Sequence, residues 1–206
     1  MLKRLLFYFI GMTLIGFGVG FILLANVGVG PWDLFMANIV AATKSNFTTL
    51  FGIQSVILVT AGYILRKEKP NIGVLLIVIT ALYIGYLIDL ILDNFNVMNT
   101  SVYGYIALIS ALVVINIGIN IARITNIILP SIDFFVESLH IRTGISFGRV
   151  KQLIEFIVLV LGLGIALLYD LPNKLWFGTI IILVCGGPLV NLFYSPVKKF
   201  LGKFNL

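Results

Sequence analysis

Residues 27–49 read Val-Gly-Val-Gly-Pro-Trp-Asp-Leu-Phe-Met-Ala-Asn-Ile-Val-Ala-Ala-Thr-Lys-Ser-Asn-Phe-Thr-Thr, and this stretch fits neither a hydrophilic loop nor a full membrane span. Gly28, Gly30 and Pro31 break the long apolar run that precedes them, because glycine weakens a helix and proline removes a backbone donor. From Leu34 an apolar run of about ten residues resumes, where a full span needs about 20. Such a run is too short to cross a bilayer and too apolar to sit in water. A re-entrant or interfacial half-helix is therefore expected. A partner follows 100 residues later, Leu129-Pro130-Ser131-Ile132-Asp133-Phe134-Phe135, with the same break and resumption.

Outward from these breaks lie six apolar stretches, roughly 5–26, 50–65, 72–92, 103–122, 152–169 and 175–195. The chain of 206 residues is 60% apolar and only 11% charged. Water cannot solvate that much apolar surface, so lipid is the solvent for the surplus. The fold class expected is all-α, a polytopic membrane protein of about six transmembrane helices. The first stretch follows Lys3-Arg4, but its core is too long for a secretory signal and no small-x-small site follows it. A retained helix is expected.

The net charge of +6 is explained by topology rather than by nucleic acid. With the N-terminus inside, only Lys44 and Lys174 fall outside, and the other twelve of the fourteen lysines and arginines are cytoplasmic. Both ends are therefore expected in the cytoplasm, where the basic residues can meet anionic head groups. Cys185 and His140 are the only residues of their types, which excludes an internal disulfide and argues against cysteine or histidine metal sites. Cys185 reads as a small packing residue. The glycine-rich pieces lack a preceding strand and a phosphate-binding lysine, and no nucleophile–base pair is in view. Neither an enzyme nor a cofactor or metal is expected.

Laid on itself with a shift of 100 residues, the chain brings Gly18 to Gly118, Asn26 to Asn126, Asp33 to Asp133, Phe35 to Phe135 and Gly62 to Gly162. With a shift of 102, Gly85 through Leu90 lies over Gly187 through Leu192, and Asp89 meets Asn191. Residues 1–98 and 99–206 each hold three spans. An odd number of spans makes the second half enter from the opposite side, giving two inverted three-helix repeats in one membrane domain. Secondary transporters and channels commonly use that plan, with the substrate site near the midplane between repeats.

Asp33 and Asp133 stand at the starts of the half-helices. One role is that of N-caps, accepting backbone N–H bonds at the positive helix end. The other is to line a polar cavity as coupling-ion or proton sites. Trp32 fits an interfacial anchor or a cavity wall. Asn26 and Asn126 precede the breaks. Asn116, Asn120 and Arg123 form one stripe on the fourth span. Gly16 and Gly20 form a small face at the matching positions of the first, expected to pack against that stripe. Asp89, Glu137 and Glu155 are acids within apolar runs, where an isolated charge costs on the order of 3 kcal/mol. Lys151, four residues before Glu155, is expected to pair with it. Asp89 has no partner nearby in sequence.

The motif Gly28-Val-Gly-Pro-Trp-Asp33 resembles the hallmark of the YczE/YyaS/YitT-like family of bacterial membrane proteins. Pro130-Ser-Ile-Asp133 with Thr143-Gly-Ile-Ser-Phe-Gly148 is similar to that family's repeat of it, as is Gly178-Thr179 ahead of Gly186-Gly-Pro188. In the second half the proline is shifted by one position relative to the aspartate. The resemblance implies a small bacterial inner-membrane protein and supplies no substrate. The leading expectation is a transporter or permease for a small solute, ion or amphiphile. A membrane scaffold that binds a protein partner at the basic cytoplasmic face (Arg142, Arg149, Lys151) and a lipid-handling protein are the alternatives.

Overall fold

The computed structural model describes residues 2–98, 101–172 and 175–204. Lys174, one of the two basic residues expected on the outer side, lies outside the described residues. The described residues form α1 (Leu2–Ala25), α2 (Pro31–Thr43), α3 (Phe47–Arg66), α4 (Gly73–Asn94), α5 (Ser101–Thr125), α6 (Ser131–Thr143), α7 (Phe147–Leu168) and α8 (Phe177–Gly202), with no strand among them. Five helices, α1, α3, α4, α5 and α7, are long and apolar enough to cross a membrane. α8 makes a sixth if it counts as one span, for it bends by 49° between Gly186 and Pro188. The cause is Pro188, which lacks the N–H that would continue the helical ladder. Between 28% and 44% of the most apolar window of each of the five spans is buried inside the protein. The remaining apolar faces look outward, which suits lipid and not water.

The centre of the molecule is the antiparallel pair α1 and α5. Small residues bring the two backbones together: a methyl group at Gly11 would lie 2.7 Å from the carbonyl oxygen of Gly118, and one at Gly118 would lie 2.7 Å from that of Gly11. Gly18 rests on Ile115 and the Ala111 carbonyl in the same seam. The expected pairing of the Gly16/Gly20 face with the asparagine stripe is not what forms. Gly16 abuts Leu87 and Gly20 abuts Ile91, both on α4. Asn120 looks instead to α8, donating from Nδ2 to the Val190 carbonyl at 2.8 Å. The reason is helical periodicity: residues 11 and 18, two turns apart, share a stripe that 16 and 20 do not.

The two half-helices cross over. α2 packs on α7 and α6 packs on α3, while α4 lies on α1 and α3, and α8 lies on α5. Gly162 admits α2, with the Phe35 Cα 3.1 Å from where its Cβ would stand. Asn38 donates from Nδ2 to the Gly162 carbonyl at 2.9 Å. Gly62 admits α6 in the same way, against Phe134 and Ser138. One contact has no counterpart. α3 and α4 pack along their length, with Gly52 under Leu82 and Gly85 against Phe47 and Thr48. Among the described residues α7 and α8 make no comparable contact.

Candidate functional site

At the break after α1, Asn26 takes a left-handed conformation (φ 53°) and Gly28 has φ 125°. Asparagine tolerates the first and glycine is needed for the second. A side chain at Gly28 would also collide with the Thr179 backbone nitrogen, 2.5 Å from its Cβ position. The Gly178 N–H donates to the Val27 carbonyl at 2.8 Å, and the Val29 N–H donates to Thr179 Oγ1 at 3.2 Å. The start of α8 is thereby sewn to the break. Gly30 is the N-cap of α2 and Pro31 its first residue, where a missing N–H costs nothing. Asp33 is therefore the third residue of the helix and not its cap. Its carboxylate reaches back to accept the Gly30 N–H, as in half of a capping box.

The second break differs in one atom that matters. Asn126 is left-handed too (φ 50°), but the cap of α6 is Pro130, which has no N–H to give. Asp133, again third in its helix, cannot make the bond that Asp33 makes. It accepts an ion pair from Lys151 Nζ at 3.1 Å. The close contact of Lys151 thus goes to Asp133 on α6, while its charge still acts on Glu155 as the spacing of four predicted. No hydrogen bond or ion pair joins Asp33 to Asp133 among the described residues. Trp32 meets Phe35 edge to face, and both pack on the cluster of Val136, Val150, Ile154 and Val158 from α6 and α7.

Asp89 has partners that its neighbours in sequence do not reveal. From α4 it accepts the N–H groups of Phe47 and Thr48, each at 2.8 Å, and the Thr48 hydroxyl at 2.6 Å. It thus caps α3 from outside, a carboxylate at a positive helix end. Asn116 and Asn120 are buried and donate to carbonyls one turn back on α5, those of Leu112 and Asn116. The Asn120 Oδ1 is buried without a partner.

Several polar groups escaped the reading of the sequence. Asn38 is 1% exposed, and its Oδ1 has no partner. Ser55 and Gln54 on α3 also bury unpaired polar atoms. Arg66 donates from Nε to Ser138 Oγ at 2.7 Å and lies over the Phe134 ring, 4.4 Å from its centre. The one sequence signal for this set was the match of Gly62 with Gly162, since each glycine receives the half-helix that carries Ser138 or Asn38. His140 closes the turn after α6 through its Nδ1 and the Ile145 carbonyl. Cys185 is half-buried. Among the described residues no three of His, Cys, Asp and Glu gather as a metal site would require.

Two cavities open near the end of the molecule where α1 begins. One, of about 250 Å³, is lined by Tyr63, Lys67, Glu68 and Val74 among others. The other, of about 440 Å³, lies beside Arg4, Leu76 and Asn126. Neither is lined by Asp33 or Asp133.

Five helices long and apolar enough to cross a membrane, with two short helices set against them, mark a multi-pass helical membrane protein. The chain belongs to a family of unknown function, DUF6198, whose pattern matches residues 2–195. It is 28% identical over 210 residues to Uncharacterized protein YyaS of Bacillus subtilis (strain 168), covering 97% of each chain. No solved structure matches it.

Proposed function

We propose that this protein is a small secondary transporter or permease of a bacterial cytoplasmic membrane. In this reading it is built from two inverted three-helix repeats, residues 1–98 and 99–206, with both ends in the cytoplasm. What supports the inversion is the reciprocity of contacts under the shift of 100 residues. Gly11 on Gly118 becomes Ala111 on Gly18, and Asn38 on Gly162 becomes Ser138 on Gly62. Each pair turns into the other when the halves are exchanged, as a twofold axis in the membrane plane requires.

The observation that carries transport is the place where this exchange fails. Asp89 locks α4 onto α3, whereas α8 bends at Pro188 and stands off α7. Asn191, the counterpart of Asp89, is exposed. Two repeats of one pattern in unlike conformations are what alternating access produces, one side sealed and the other open. The α3–α4 pair seals the outer side and the α7–α8 gap opens the inner. Asp33, half-buried at the broken helix, is the coupling group, and Trp32 and Asn38 stand on the same half-helix. The protein brings no catalytic chemistry of its own.

The test is efflux from vesicles holding the purified protein and preloaded with a metabolite extract, read by mass spectrometry. Wild-type vesicles lose one class of solute that protein-free vesicles keep, and Asp33→Asn vesicles keep it at unchanged thermal stability. Full efflux through a folded Asp33→Asn protein removes Asp33 from the mechanism. Retention of every solute by the wild type overturns transport.

The same gap favours a second reading, a lipid-handling protein that accepts amphiphiles sideways from the bilayer. α7 buries only a narrow stripe and exposes Leu153, Phe156, Ile157 and Val160. Efflux confined to amphiphiles supports it.

A further inference from the structure

The cavity of about 440 Å³ gains meaning from the place that corresponds to it in the other half. Its walls include Arg4 and Leu5 of α1, Leu76 of α4, and Asn126 and Ile127 of the second break. Under the shift of 100 residues, Arg4 corresponds to Gly104 and Ile127 to Val27. Under the shift of 102, Leu76 corresponds to Gly178. At that other junction there is no room. Gly104 packs directly on the Ala25 carbonyl and the Val27 side chain, and Gly178 packs on the Val27 carbonyl while donating its N–H to it. Val27 is buried there, whereas Ile127 is only half-buried. Two glycines let one junction close. An arginine and a leucine in their places hold the other open.

The walls of this cavity combine Leu2, Leu5, Leu76 and Ile127 with three polar residues, Arg4 and Asn126, both exposed, and Thr125, whose hydroxyl is already bonded to the Ala122 carbonyl. No acid lines it. It lies where α1 and α4 begin and α5 ends, the level at which spans meet lipid head groups. A phosphate carried on acyl chains matches both parts. The head meets a cation that binds phosphate oxygens by paired hydrogen bonds, and the chains follow the leucine and isoleucine walls. Juxtamembrane basic residues recognise anionic lipids by this chemistry.

We infer that the cleft between Arg4, Leu76 and Ile127 is a binding site for one anionic phospholipid, its phosphate held by Arg4 and Asn126. This goes beyond the transport reading and does not depend on it. The test is native mass spectrometry of the detergent-purified protein with phosphatidylglycerol or phosphatidylcholine added back. Wild-type protein retains one phosphatidylglycerol per chain in preference to phosphatidylcholine. Arg4→Gln lowers that occupancy about five-fold, as the loss of one near-surface cationic contact predicts. Leu76→Trp, which fills the cleft and leaves the charge, also lowers it, and Lys199→Gln, away from the cleft, leaves it unchanged. Equal retention of both lipids by the wild type overturns the site, as does unchanged binding in both cleft variants. Displacement of the lipid by excess inorganic phosphate, without loss in phosphatidylcholine controls, overturns the lipid assignment in favour of a free-anion site.

Discussion

Asp89 accepts three hydrogen bonds at the start of α3, and each bond to a charged group is worth about 1.5–3 kcal/mol when its loss leaves a donor unpaired. Partial exposure of Asp89 lets water recover some of this. Asp89→Ala is expected to destabilise the protein by about 2–4 kcal/mol in chemical denaturation, with α3 fraying first in hydrogen exchange. Asp133 contrasts with it. Its pair with Lys151 is 30% and 42% exposed on the two sides, so a double-mutant cycle should find a coupling below about 1 kcal/mol. Gly28→Ala should cost more than Gly144→Ala. Both residues have positive φ, but only Gly28 has an atom within 4 Å of its Cβ position. Backbone strain alone costs about 1–3 kcal/mol, and thermal denaturation of the two variants separates strain from collision. At this scale the sequence was legible where conformation is local. The paired Asn26 and Asn126, which end α1 and α5 in left-handed turns, showed as a repeat. It was illegible where partners come from other helices. Asp89 looked unpartnered because Thr48 lies 41 positions away.

The spans read well from hydropathy because the lipid-facing side of each helix is apolar over its whole length. Boundaries expected at 50 and 65 fall at Phe47 and Arg66, and those expected at 72 and 92 fall at Gly73 and Asn94. α8 runs past its expected end at 195 to Gly202 and carries Pro188 and Pro196 within it, since its last turns leave the apolar stretch for basic residues that hydropathy discounts. Both half-helices were legible from glycine, proline and a short apolar run. Their crossing was not, because it depends on Gly62 and Gly162 lying under helices far away in sequence. Filling either cleft should push a half-helix off its seat. Gly162→Leu places a side chain where Phe35 stands 3.1 Å from the Cβ position. Overpacking of this kind costs about 1–3 kcal/mol and is expected to expose α2, read as faster labelling of a cysteine at Asn38. Protection of that cysteine equal to that in an otherwise wild-type background would contradict the seating.

At the scale of the whole molecule, the proposed repeat predicts which helices correspond, and the contacts of α1, α2, α5 and α6 are those it would give. The departure at α7 and α8 was only partly legible in the sequence: Asn191 stands where the other half has Asp89, and Pro188 where it has Tyr86, but which helices then touch depends on packing between them. The central claim is that this difference is a state and not a fixed asymmetry. With Cys185 replaced by serine, spin labels at Gly148→Cys and Asn191→Cys report the distance between α7 and α8 in vesicles. Both sites have room, for nothing lies within 4 Å of the Gly148 Cβ position and Asn191 is exposed. Pulsed electron–electron resonance should find two distance populations, the shorter one bringing Asn191 to the start of α7 as Asp89 is brought to the start of α3. A single long distance, unchanged across solutes, lipids and pH in folded protein, would contradict the account.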